Sequence, residues 1–191
     1  MSVLGGVGLF VCSGIALVVV AIAVFLIALY NRLVTLRNRV DNAWSQIDVQ
    51  LKRRYDLIPN LVETVKGYAA HERETLEKVV QARQMAIDAK SVAEQGQAEN
   101  MLTSTLRSLF AVAEAYPDLK ANQNFLHLQE ELSGTESKIA YARQFYNDSV
   151  MTLNTAMQSF PANMVAGPMG FSPREYFEIE VAAREAPQVS F

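Results

Sequence analysis

The chain has 191 residues, 50% of them apolar, with 17 Lys plus Arg against 20 Asp plus Glu and a formal net charge of −3. That is one domain's worth of protein, too weakly basic to read as a general nucleic-acid binder, and 9% aromatics with nine Gly and six Pro exclude collagenous, low-complexity and wholly disordered classes. Its single cysteine, Cys12, sits in the first apolar run, so no intrachain disulfide, CxxC pair or Cys-rich zinc site is encoded.

From Val7 to Tyr30 no side chain is charged. At ~1.5 Å per residue this run makes a helix of about 36 Å, enough to cross a ~30 Å hydrocarbon core with some tilt. A cleavable signal peptide would carry Lys or Arg before the run and a shorter apolar region, so the segment reads as a retained anchor, residues 1–30. Arg32, Arg37 and Arg39 follow it and are the candidate contacts to the membrane surface. Their charge predicts the N-terminus outside and residues 31–191 in the cytoplasm.

Beyond the anchor, Leu33, Leu36, Val40, Trp44, Ile47, Leu51, Tyr55, Ile58, Leu61 and Val65 recur at steps of three and four, a helical stripe continuing without a break from the membrane. Pro59 within it predicts a kink near Tyr55 to Ile58, and Gly67 a terminus. A second helix is expected over about 70–90. The segment SVAEQGQAEN breaks the pattern, so a third helix is expected from about Ala98 to Tyr116. After Pro117 a long stripe from Leu119 to Phe160 predicts a fourth helix. The domain so outlined, residues 31–160, is followed by a Pro-rich, apolar tail, 161–191. Within that tail Phe177, Ile179 and Val181 alternate with Tyr176, Glu178 and Glu180, the period of a short strand.

Charge is segregated: residues 31–66 hold seven basic and four acidic side chains, whereas 67–191 hold ten and sixteen. Arg53-Arg54-Tyr55-Asp56 could grip an anionic partner, but a solvated turn paired to acidic helices is the simpler reading. His71 with Glu72 and Glu74, and His127 with Glu130 and Glu131, lack HExxH or ExxH spacing and any accompanying nucleophile, so no metal, cofactor or catalytic residue is expected. Trp44 and Tyr55 read as core or interface anchors. The amides Asn122, Asn124, Gln129 and Asn147 lie along an otherwise apolar helix; buried, they would need partners and could fix helix register, and exposed, they would form a polar face.

The segments YNRLVTLRNRVDNAWSQIDVQLKRRYDLIPNLVETVKGYAAHE at 30–72 and AYPDLKANQNFLHLQEELSGTESKIAYARQFYNDSV at 115–150, with FPANMVAG, GFSPREYFE and AAREAPQVSF in the tail, resemble the LemA family of bacterial membrane proteins. The resemblance runs in order through nearly the whole chain. It implies an all-α protein, one N-terminal membrane helix followed by an antiparallel four-helix bundle, in a bacterial inner or plasma membrane. It implies no established catalytic activity.

The expected function is that of a non-enzymatic, membrane-anchored helical scaffold that assembles with copies of itself and with other membrane proteins. An accessory docking subunit of a membrane enzyme, such as a protease or transporter, is the alternative. For the homo-oligomer the tail is the expected contact: Phe171, Tyr176, Phe177, Ile179 and Val181 would otherwise face water, and a strand there would seek the backbone of a neighbouring copy.

Overall fold

A computed structural model describes residues 2–178, with side chains from Gly14 onward. Six helices follow in order: α1 (Ser2–Lys66), α2 (Arg73–Asp88), α3 (Val92–Ala113), α4 (Pro117–Lys120), α5 (Gln123–Gln158) and α6 (Ala162–Val165). The described residues contain no strand. They group into two compact units, one made of the chain up to Asp41 with Ser149–Arg174, the other of Asn42–Asp148 with the chain from Glu175.

In the first unit α1 holds the one stretch among the described residues that is long and apolar enough to cross a membrane. Its side chains from Ile15 to Phe25 are exposed. Leu33 and Val40, further along, are buried together with Val150, Leu153 and Met157 of α5 and Ala162 and Ala166 beyond it.

The second unit buries Ala43, Ile47, Leu51, Tyr55, Ile58, Leu61 and Val65 of α1, so the stripe read from periodicity is a core seam. Leu76, Val79, Ala82 and Ala86 of α2, Leu102, Leu106 and Leu109 of α3, and Phe125, Leu132 and Ile139 of α5 complete this core.

One local expectation fails for an identifiable reason. The third helix begins at Val92, not near Ala98. Ser91 caps it by accepting a hydrogen bond from the Glu94 N–H, while the Glu94 carboxylate accepts from the Lys90 N–H, so the polar SVAEQGQAEN segment is a helix start. Past Pro59, α1 continues as helix to Lys66. A proline cannot donate to the carbonyl four residues back, here that of Tyr55, and Arg83 Nε of α2 donates to that oxygen instead at 2.8 Å.

The tail also differs. Residues 171–178 form neither helix nor strand. Phe171 and Phe177, which the sequence reading leaves facing water without a neighbouring copy, are buried within their own chain. Tyr176 stays exposed, and Ile179 and Val181 lie outside the described residues.

Candidate functional site

The second unit encloses one group of ionisable side chains at its centre. Arg54 of α1 is 3% exposed and Glu99 of α3 is 0% exposed. Ions so far from water persist only when paired and hydrogen-bonded on every side. Arg54 Nη1 lies 3.0 Å from Glu99 Oε2 and 3.1 Å from Glu136 Oε2 of α5, and its Nη2 donates to Thr103 Oγ1 at 2.8 Å. One planar guanidinium therefore joins three helices. The other oxygen of Glu99 accepts from the Tyr55 hydroxyl and, at 3.1 Å, from Gln95 Nε2. The same Gln95 nitrogen donates to the Tyr55 hydroxyl at 2.8 Å and to the Ala86 carbonyl, which closes the end of α2, at 3.1 Å.

Burial raises the Glu99 carboxyl above the usual carboxylate range, against the pull of Arg54 and of the Tyr55 and Gln95 hydrogen bonds. Burial and the neighbouring Glu99 carboxylate likewise raise the Tyr55 phenol. Both oxygens of Glu99 accept from donors of the chain itself, so the group ties helices together.

Sequence reasoning missed most of this group. Arg54 lies in the core of α1, not in the solvated turn expected for it. The overlooked signal is its register: Leu33, Val40, Ile47, Arg54 and Leu61 are spaced by seven, so Arg54 occupies a seam position of the apolar stripe. Glu99 likewise heads the series Leu102, Leu106, Leu109 and Ala113, inside the segment read as a break. Of its neighbours, Arg53 does pair with acidic Glu131 of α5, which lowers the Glu131 carboxyl. Tyr55 is buried beside Glu99.

A second constellation in the same unit seats the tail. Trp44 meets Tyr146 and Phe177 edge to face, with ring centroids 5.3 Å and 5.4 Å away. The Tyr146 hydroxyl donates to the Glu175 carbonyl at 2.9 Å, and the Asn147 amide pairs with the main chain of Phe177 in both directions. Gly96 of α3 lets the tail approach: a Cβ there would lie 2.4 Å from the Glu178 carbonyl oxygen. Beside the tail runs an open groove of about 1120 Å³, lined by Gln97, Asn100, Tyr141, Gln144, Asn147 and Tyr176.

The remaining candidates divide. Asn147 is the amide that finds a structural use, whereas Asn124 and Gln129 are exposed and are not core residues. Asn122 begins α5, its Oδ1 accepting from the Phe125 N–H and its Nδ2 donating to the Tyr68 hydroxyl at 2.9 Å, so it caps a helix rather than fixing a buried register. In the first unit Arg32 and Arg39 are exposed, while Arg37 lies over the Phe171 ring, 5.3 Å from its centroid, and the Tyr30 ring meets Phe171 edge to face at 5.7 Å. His71 and His127 are exposed, and Glu72 accepts from the Tyr116 hydroxyl at 3.2 Å.

Residues 43–191 match the model of the LemA family. Protein LemA of Metamycoplasma hominis is 31% identical over 140 residues, covering 71% of this chain and 63% of that protein. Magnetosome proteins MamQ 1 and MamQ 2 of Paramagnetospirillum magneticum are each 26% identical over 198 residues, covering 90% of this chain and 72% of theirs. MamQ of Magnetospirillum gryphiswaldense is 25% identical over 197 residues, with the same coverage. None of these names denotes a reaction.

Proposed function

The chain belongs to the LemA family, and from that premise we propose that this membrane-associated helical protein is a non-enzymatic scaffold. It is anchored by residues 1–30, folded as an antiparallel four-helix bundle over 31–160, and active through contacts with copies of itself and with other membrane proteins. The observation that carries this reading is α1. A single unbroken helix, Ser2–Lys66, exposes an apolar stretch of membrane-crossing length and then contributes the core seam of the helical domain. The occupied state of Glu99 supports a structural use of the buried ions, and the names of the MamQ relatives place them in the magnetosome, a cellular assembly.

Self-association is supported by a surface other than the tail. Val49 of α1 and Tyr141 of α5, the latter 76% exposed, flank a groove of about 560 Å³ that Ala142 and Phe145 also line. Anchors held in one bilayer raise the effective concentration of such faces for one another. Arg32, Arg37 and Arg39 favour the helical domain on the cytoplasmic side of a bacterial membrane.

The test is the mass of the full chain in mild detergent by light scattering. A defined oligomer that dissociates on combining Val49→Glu with Tyr141→Glu is expected. A wild-type monomer overturns self-assembly, and a monomer recovered with one stoichiometric partner favours the accessory docking subunit instead. Protease added to intact spheroplasts should spare the domain; digestion overturns the orientation.

A further inference from the structure

Within the first unit, a second part of the chain lies against the apolar stretch of α1. Phe25 and Leu29 share the walls of a groove of about 450 Å³ with Met151, Thr155, Phe160 and Pro161. Tyr30 touches Phe171 from the same stretch. If residues 7–30 cross the bilayer, Tyr30 sits at its edge and Phe25 about 7 Å further in, at ~1.5 Å per residue. The groove runs along α1 from Phe25 to Leu33, so the segment forming its other wall lies at the bilayer edge.

The segment that does so is suited to lipid. Phe160 is 80% exposed and Met164 is 68% exposed, while Ala162 and Ala166 of the same turn are buried against the unit. The turn therefore presents its large apolar side chains outward and its small ones inward, the reverse of what water selects. No charged side chain occurs between Asp148 and Arg174, although charged residues make up 19% of the chain. Charges return at Arg32 and Arg37 on α1 and at Arg174 on the tail, where phosphates would be met. Gln158, Ser159 and Asn163, exposed beside Phe160, are polar without charge, as the headgroup layer tolerates.

We propose that the turn from Phe160 to Met164 inserts into the leaflet beside the anchor, giving the protein a second, interfacial membrane contact. The proposal rests on the reading of α1 as a membrane span. Its consequence is that the leaflet holds the end of α5 as well as α1, so the first unit is fixed to lipid at two points of the chain.

The experiment uses the full chain with Cys12→Ser and one introduced cysteine, Phe160→Cys or Met164→Cys, carrying an environment-sensitive fluorophore. The protein is reconstituted in phosphatidylethanolamine–phosphatidylglycerol vesicles. Leu17→Cys, on the anchor, and Leu126→Cys, on α5, are the reference positions; all four native side chains are exposed. A nitroxide placed high on the lipid acyl chain should quench the labels at 160 and 164 as it quenches the label at 17, and aqueous iodide should not. Quenching at 17 with iodide-quenched labels at 160 and 164, like that at 126, overturns the proposal and leaves the span standing. Labels at 160 and 164 reached by neither quencher overturn it in favour of a protein partner. No lipid quenching at 17 overturns the span and the proposal together.

Discussion

The side-chain amide of Asn147 binds the main chain of Phe177 as a neighbouring strand would: Nδ2 donates to the Phe177 carbonyl at 3.2 Å, and Oδ1 accepts from the Phe177 N–H at 2.9 Å. In the first unit Asn154 does the same for Arg174, with both bonds at 2.9 Å, and Arg174 pairs with Asp41 at 3.0 Å. An extended segment beside a helix has no backbone partner of its own, and the amide side chain is the one type that offers a donor and an acceptor at strand-like spacing. Asn147→Ala leaves both groups of Phe177 unpaired, a cost of about 1–3 kcal/mol. Amide exchange at Phe177 should accelerate accordingly; unchanged protection would show that ring packing alone seats the tail.

Gly96 can be tested without touching the tail. Its Cβ would meet a main-chain oxygen, that of Glu178, at 2.4 Å, which no rotamer change relieves. Gly96→Ala should therefore displace the Phe177 ring from Trp44, the only tryptophan in the chain and hence a built-in reporter. A shift of Trp44 emission with the helix content retained is the expected outcome, and an unaltered spectrum would count against close packing of the tail on α3.

The buried ions make a double-mutant cycle informative. Arg54→Met removes the cation and strands Glu99 in the core, which should cost about 3–5 kcal/mol. Adding Glu99→Leu removes the stranded charge and should restore part of that loss, because the pair's desolvation penalty goes with it. Strict additivity of the two losses in thermal or denaturant unfolding would show that the residues are not coupled.

Acid and base should act oppositely on two carboxylates. Burial raises Glu99 in the folded state, so the folded protein holds its proton longer than the unfolded chain does. The resulting stabilisation is fully present below the ordinary Glu value of about 4.3 and is lost as pH climbs through the raised value. Glu131 is lowered by Arg53, and its contribution is lost as pH falls below the ordinary range. Unfolding curves across this range should show Glu99→Gln flattening the fall on the alkaline side, while Glu131→Gln flattens the one on the acid side. Identical pH profiles for Glu99→Gln and the native chain would refute the burial effect.

Much of the architecture follows from local pattern. An uncharged run from Val7 to Tyr30 has the length of a bilayer, and the step-three-and-four recurrence from Leu33 to Val65 marks a buried seam whatever it packs against. Long motifs through 30–72 and 115–150 also carried the family. Periodicity reports which side of a helix is apolar, but it is silent on a charge standing at a seam position. Arg54 became a core residue only because α3 brings Glu99 and Thr103, and α5 brings Glu136, within hydrogen-bonding reach. The tail shows the same division: its apolar alternation was legible in Tyr176 to Val181, yet what would cover Phe177 was not. Trp44, Tyr146, Asn147 and Gly96 are far from it in sequence and meet it through the packing of three helices, and a partner that distant leaves no periodic trace along the chain.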